Sequence, residues 1–461
     1  VNIAHVIARW ADLFPLKVAL RFHGSDWTYS DLWQRVARID LQVSPGDRIA
    51  WLGYNCPEML VLLFAAARQG AILVPLNWRL TAAEHKEILA DCSPKWLFCD
   101  SHFEEHARGL GVPLGHSDEG TVAENPIDDV LIVYTSGTTG KPKGAVLTQE
   151  ALMWNASNSM HAHALRQEDH VLTALPMFHV GGLNIQTLPA LICGATVTLH
   201  ARFDPGQWLA DVAARRPTLS LLVPAAMAAV IKHPAWPDTD LSSLRLLNTG
   251  SMVVPESLIR AFHERGVPVG QIYGATETAP IATALLREDS NRVGSAGKPV
   301  PHCEVKLVDG EIWVRGPAVM RGYWHGGGLT EDGWFRSGDL ARIDEDGFYW
   351  IVGRSKDVII SGGENIHPAE LENVLADCAG IAEAAVIAVK DEKWGEAACA
   401  CIVRRDKALD EKTILGLFAN RLARYKHPRR VVFVDALPRN AMGKVLKAEL
   451  QRLLDVKLDR A

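Results

Sequence analysis

The sequence predicts an α/β protein: a large N-terminal domain of α/β subdomains plus a β-rich subdomain, then a small C-terminal α/β (α+β) domain. Three observations carry this expectation. Helix and strand signals alternate over most of the chain. After about residue 300 they give way to alternating strand patterns separated by short turns. At 461 residues the chain is too long for a single compact core.

Taken in order, the N-terminal stretch "VNIAHVIARWADLF" mixes polar and apolar residues and has no signal-peptide core. It does not begin with Met, so residues are expected to precede Val1. "NCPEMLVLLFAAARQG" reads as a helix with Asn55 as cap, Pro57 near its first position and Gly70 closing it. "AILVPL" then reads as a buried strand, and "VLIVY" as another. "CEVKLVDGEIWVRG" and "GFYWIVGR" alternate like strands around "DGE" and "DEDG" turns. Beyond them, "HPAELENVLADC" is a helix, "AEAAVIAV" and "ACACIV" are strands, and "EKTILGLFANRLARY" is a further helix. A boundary between Gly353 and Asp357 gives domains of residues 1–355 and 356–461, the second domain-sized by itself.

Lys and Arg total 48 against 54 Asp and Glu, a net charge of −6. No bulk basicity points to nucleic acid. The apolar runs from Met59 to Ala67 and from Leu221 to Ile231 end at Arg68 or are broken by Pro224. Neither reaches the ~20 residues a membrane-spanning helix needs. Eight cysteines (Cys56, Cys92, Cys99, Cys193, Cys303, Cys378, Cys399, Cys401) show no metal-ligand spacing and read as small buried apolar side chains. A cytoplasmic location is the expectation that follows.

"YTSGTTGKPKGA", Tyr134 to Ala145, is dense in Gly, hydroxyls and Lys. The Walker spacing G-x-x-x-x-G-K-[ST] fails, since only two residues separate Gly137 from Gly140, and Pro142 follows Lys141. The ingredients of anion binding are nevertheless present: glycines that let N–H groups converge, the hydroxyls of Thr135, Ser136, Thr138 and Thr139, and the charge of Lys143. Composition alone leaves a phosphate loop and a mobile surface turn both open.

This segment resembles the phosphate loop of the acyl-adenylate-forming superfamily, which includes acyl-CoA synthetases, firefly luciferase and peptide-synthetase adenylation domains. "LPMFHVGG" (175–182), "YGATE" (273–277), "GEIWVRGP" (310–317), "WFRSGD" (334–339), "GRSKDVIISGGENIHPAELE" (353–372) and "LPRNAMGK" (437–444) follow in the family's order. The resemblance runs from about residue 25 to 450 and implies a carboxylic acid–CoA ligase. A carboxylate attacks the α-phosphate of ATP, pyrophosphate leaves, and the thiol of coenzyme A then displaces AMP. Such chemistry depends on positioning and charge neutralisation.

By this resemblance Thr135, Ser136, Gly137, Thr138, Thr139, Gly140 and Lys143 hold the ATP phosphates. Glu277 is the Mg²⁺ ligand, a role one carboxylate with phosphate oxygens can fill, and Thr276 donates to the α-phosphate. Tyr273 and the segment "NTGSM" (Asn248, Thr249, Gly250, Ser251 and Met252) wall the adenine side, and Gly274 and Ala275 belong to the ATP site. Asp339 accepts from the ribose hydroxyls and Arg354 adds a second ribose contact; Ser337 stands where the family usually has Thr. Lys444 is the catalytic cation of adenylation, a mobile point charge. The C-terminal domain is expected to be mobile about Lys356, and Gly362 and Gly363 to line the pantetheine tunnel. His179, Val180, Gly181, Met252 and Ala275 form the acyl pocket, with Leu183, Asn184, Val223 and Ala279 nearby and His179 in no proton transfer.

No Arg is apparent among these walls, which places malonate and o-succinylbenzoate below a medium-chain fatty or aromatic acid. A stand-alone adenylation enzyme that loads a carrier protein is the alternative. The basic run "RLARYKHPRR" (421–430) reads equally as a CoA-phosphate contact or a solvated helix end. The stretches Tyr323–Trp334 and Asp100–Pro126 are short for the family, and Gln149 stands where His is common. A homodimer is the assembly expectation.

Overall fold

The computed structural model describes residues 2–116, 118–119, 123–136, 142–251, 254–391, 393–419, 421–439 and 445–458. The chain falls into two compact units. One comprises Val1–Ser251, Arg260–Lys306 and Trp313–Arg336; the other comprises Met252–Ile259, Leu307–Ile312 and Ser337–Ala461. This division falls at Ser337, earlier than Lys356, because the strand Tyr349–Arg354 pairs with Phe335–Ile343 along its length.

Among the described residues the first unit holds two large sheets. One has nine strands, in the order Lys298–Pro299, Thr283–Ala284, Val269–Tyr273, Leu246–Gly250, Leu219–Leu221, His170–Thr173, Thr196–Leu199, Val18–Phe22, Ser25–Thr28. Its central pairs are parallel. The other has six strands: Gly322–Tyr323, Pro142–Thr148, Asp129–Ser136, Ile72–Leu76, Arg48–Leu52, Trp96–Cys99.

The helix Pro57–Gln69 shares one hydrophobic core with strands of both sheets. That explains why its sequence has no polar face: a helix apolar all round is one buried all round. Leu60, Leu63 and Phe64 are fully buried, each worth about 1.5–3 kcal/mol of transfer free energy. Its last two residues are buried as well, and they are satisfied. Arg68 donates to Val36 O at 3.0 Å and pairs with Glu124 at 3.0 Å; Gln69 bonds the backbone of Leu41 and Ile39.

Gly70 closes this helix at φ 76°, as expected, but Asn55 is not its cap. Cys56 occupies the N-cap position without a side-chain bond. Asn55 instead donates to Leu175 O and His200 O and accepts from Met177 N at 2.7 Å. A buried Asn with three backbone partners is worth more to the fold than a cap that Pro57 makes partly redundant. Gln149, which had no assigned role, is also structural. It accepts from Ile3 N at 2.9 Å and donates to Ile127 O at 2.7 Å, tying the first helix, Ile3–Leu13, to the core.

Two strands of the β-rich region, Glu304–Val308 and Glu311–Arg315, are joined by Asp309 and Gly310 at φ 50° and 80°. That two-residue turn is the one the "DG" pair favours.

In the second unit, Gly395–Arg404 pairs with Ile381–Asp391, and Ile359–Ser361, Glu364–Ile366 and Arg430–Phe433 complete a sheet. Ala398, Ala400 and Ile402 face one apolar cluster with the helix Pro368–Ala376. Ala397, Cys399 and Cys401 face another, with Leu450 and Leu454 of Lys447–Leu458. The two-residue strand period thus splits "AACACI" between two cores.

The helix expected over 411–425 runs only from Glu411 to Gly416. Gly416 carries a helix penalty of about 1 kcal/mol, and among the described residues of this stretch only a short helical turn, Arg424–Lys426, follows. All eight cysteines are free; Cys56, Cys92, Cys399 and Cys401 are buried and the other four half-buried. Among the described residues no helix is long and apolar enough to cross a membrane.

Candidate active site

The strands Asp129–Ser136 and Pro142–Thr148 run antiparallel, with Thr135 opposite Lys143 and Ser136 opposite Pro142. The phosphate-type segment therefore joins strand to strand, unlike a P-loop, which joins strand to helix. Its Gly137, Thr138, Thr139 and Gly140 lie outside the described residues. Thr135 Oγ1 donates to Lys143 O at 3.5 Å, and Lys143 Nζ lies 5.2 Å from the ring centre of Tyr323. Tyr323 is brought there by pairing with Ala145.

The Tyr323 hydroxyl donates to Glu277 Oε1 at 2.8 Å. Burial, with the adjacent Glu277 charge, holds the phenol far above its ordinary range, so it remains a donor. Glu277 itself is buried, on a short helical turn, Thr276–Thr278, that follows the strand Val269–Tyr273. Thr278 Oγ1 accepts from Ala275 N at 2.9 Å and fixes the start of that turn. Thr276 and Tyr273 are half-buried. Gly274 is obligatory: a Cβ there would meet Pro280 O at 1.7 Å. Gly250 ends the adjacent strand, where a Cβ would meet Ile272 O at 2.4 Å. Ser251 follows at φ 71°, exposed; Met252 lies outside the described residues.

These positions bring Lys143, Tyr323 and Glu277 together as cation, donor and carboxylate. Tyr323 was missed in the sequence, where nothing but strand pairing distinguishes it from any other Tyr. Among the described residues no cluster of three or more His, Cys, Asp or Glu is arranged for a metal. A lone buried carboxylate with one oxygen held by a phenol suits Mg²⁺, which takes most of its ligands from phosphate and water.

In the second unit, Asp339 and Arg354 face each other across paired strands. Arg354 Nε lies 2.7 Å from Asp339 Oδ1, an ion pair without the alignment of a hydrogen bond, while Nη2 donates to Ser337 O at 3.0 Å. The Ser337 hydroxyl donates to Ile312 O at 2.7 Å and accepts from Asp339 N at 3.0 Å. That explains why Ser can replace Thr: the hydroxyl is the part in use.

Lys356 is exposed on the turn Ser355–Asp357. Gly362 and Gly363 form the two-residue turn between Ile359–Ser361 and Glu364–Ile366 at φ 61° and 87°. Lys444 lies outside the described residues. In the basic run, Arg421 pairs with Asp377 at 2.9 Å and Lys426 with Glu370 at 2.5 Å, which favours the structural reading there.

His179 precedes Val180–Gly182, and burial, then the nearby Arg79 charge, pushes it down to about 4. It is therefore neutral at ordinary pH, in keeping with a wall residue and no proton transfer. Val180 is buried, as are Leu183 and Asn184. The side-chain space at Gly182 is already taken by Pro176 O, 2.2 Å from a notional Cβ. Ala275 and Val223 are half-buried, and Ala279 is fully buried at φ 65°.

The first unit thus sets a buried Glu on a turn after a parallel strand, and the second unit holds the Asp339–Arg354 pair. The AMP-binding enzyme family matches residues 7–324, and its C-terminal domain matches residues 370–444. The chain belongs to that family, in its acyl-CoA synthetase branch. It is 45% identical to indoleacetate–CoA ligase of Aromatoleum aromaticum, over 98% of both chains. It is 42% identical to feruloyl-CoA synthase of an Amycolatopsis species, over 96% of this chain and 97% of that one.

Among solved structures, o-succinylbenzoate–CoA synthetase of Bacillus subtilis with its acyl-adenylate superposes with TM-score 0.89. It is 32% identical and covers 97% of each chain. The same protein has been solved with ATP and a magnesium ion. The alignment with the Aromatoleum enzyme runs over 501 positions against 461 residues here, so that relative carries segments this chain lacks.

Proposed function

We propose that the chain joins an aromatic carboxylic acid to coenzyme A in two half-reactions. In the first, a carboxylate oxygen bonds to the α-phosphorus of ATP and the bond to the bridging oxygen breaks, releasing pyrophosphate. In the second, the CoA thiolate bonds to the acyl carbon and AMP leaves. The carrying observation is the buried Glu277 carboxylate, oriented by Tyr323 beside Lys143 on the phosphate-type hairpin.

Lys143 neutralises phosphate charge, and Thr135 and Thr276 supply hydroxyl donors. Glu277 would hold Mg²⁺, which when bound neutralises the triphosphate and polarises the α-phosphate. Asp339 accepts from the ribose hydroxyls, and Arg354 keeps that carboxylate in place. Lys444 supplies the cation of the first half-reaction, and Lys356, on an exposed turn within the second unit, is the position about which the segment that follows it would turn between the two half-reactions. The names of the two curated relatives support an arylacetate- or cinnamate-type acid and CoA as the thiol. His179 with Val180 and Gly181 would form one wall for the acyl group.

Exchange of radioactive pyrophosphate into ATP, driven by a panel of arylacetates, cinnamates, benzoates and C6–C12 fatty acids, tests the first step. CoA and a pantetheinylated carrier protein offered in parallel test the second. Exchange only with fatty acids would displace the aromatic reading, and acyl transfer only to the carrier would displace the CoA reading.

A further inference from the structure

We infer that Gln186 determines specificity by accepting a hydrogen bond from an N–H or O–H group on the ring of the acid. This rests on the reading of His179–Gly181 as the acyl wall. Directly after that wall the chain makes a π-helical turn, Leu183–Thr187, closed by Leu188 N–H donating to Leu183 O. Such turns recur at functional sites because they redirect side chains that a regular helix would hold in register.

Gln186 is almost fully buried on this turn. Its Nε2 donates to Asn248 Oδ1 at 3.1 Å and to Ser220 O at 3.4 Å. A backbone carbonyl can only accept, so the amide orientation is fixed and Oε1 is the end left over. Oε1 has no hydrogen-bond partner among the described residues.

Gly181, Gly182 and Gln186 line the same small cavity, with Thr173, Thr187 and apolar side chains. The two threonine hydroxyls there are satisfied, bonded to each other at 2.7 Å and through Thr187 to Gly182 O at 2.6 Å. Gln186 Oε1 is therefore the acceptor in need of a donor. The cavity has room for about one water molecule. It cannot hold a ring; only the ring's donor group would reach into it from the acyl wall.

Outside the cavity lining, other amides of the same core also lack partners among the described residues. Asn158 and Asn184 are buried with both amide ends unpartnered among the described residues, and so is Asn248 Nδ2. Asn155 and Ser159 bond Asn184 O and Ile185 O, which ties the helix Gln149–His163 to the same turn. Buried polar groups are normally paired. An alkyl chain would leave Gln186 Oε1 unmatched; a ring that carries a donor would match it.

Pyrophosphate exchange and acyl-CoA formation with indole-3-acetate and benzothiophene-3-acetate, which differ by ring N–H against sulfur, test the inference, with phenylacetate as the donor-free control. The wild-type protein should favour the indole by about tenfold or more in kcat/KM. In Gln186→Met the ratio should fall towards unity while phenylacetate turnover is kept. A wild-type ratio near unity, or a ratio that survives in the variant, overturns the inference and leaves the ligase reading intact. No exchange with any acid would instead sink the ligase reading. If Gln186→Met does not fold, the wild-type structure with an indole-3-acetyl adenylate analogue decides. A ring nitrogen within ~3.2 Å of Gln186 Oε1 supports the inference, and one directed elsewhere overturns it.

Discussion

At the scale of the residue, one phenol hydroxyl decides how Glu277 is presented. Tyr323→Phe leaves Glu277 Oε1 buried without its donor, a loss of about 1–3 kcal/mol. Adenylation should fall by about tenfold, with a higher Mg²⁺ requirement, seen in pyrophosphate exchange titrated with magnesium; an unchanged Mg²⁺ dependence would remove Tyr323 from the site. The histidines set the acid limit. Burial pushes His163, His170 and His179 each down to about 4. An unfolded His binds protons near pH 6.5, so between pH 6.5 and 4 the unfolded state holds more protons than the folded one. Stability is thus complete above pH 6.5 and is lost as pH falls towards 4. Urea midpoints should drop clearly from pH 7.5 to 5, and less steeply in His170→Asn. Glu277, Asp339 and Arg354 were singled out in the sequence because motifs that resemble the family's contain them, and the structure describes all three. Tyr323 and Gln186 were not, because strand register and an amide's second bond create their roles.

At the scale of the element, glycines fix turns that no other residue can make. In Gly362→Ala, a left-handed φ of 61° and a Trp394 ring 2.5 Å from the new Cβ both oppose the substitution. The expected cost is about 1–3 kcal/mol, centred on the hairpin Ile359–Ile366. Thioester formation should suffer more than pyrophosphate exchange; equal losses would assign the turn a purely structural role. The helix and strand over 57–76 were readable because an uninterrupted apolar run ends at a glycine. The stretch 411–425 misled because its apolar spacing continues past Gly416, where the helix stops. Asn55 misled for a different reason: its place before Pro57 fits a cap, but backbone groups at Leu175, Met177 and His200 claim it. No local pattern could show that.

At the scale of the whole molecule, two compact units and a family assignment support a ligase with a divided task. The α/β architecture and the β-rich segment were apparent from periodicity; the grouping of Met252–Ile259, Leu307–Ile312 and Ser337–Arg354 with the second unit was not, since contacts between segments distant in sequence decide it. Lys444→Ala should abolish adenylation but largely spare thioester formation from preformed acyl-AMP, and equal loss of both would contradict that division. The central claim, an acid–CoA ligase acting through acyl-AMP, is tested most directly by a rapid-quench single turnover with labelled ATP and an arylacetate. Without CoA, about one equivalent of acyl-AMP should accumulate with pyrophosphate, and CoA should then convert it to acyl-CoA and AMP. Formation of ADP and phosphate, or an acyl-AMP that CoA does not consume, would contradict the account.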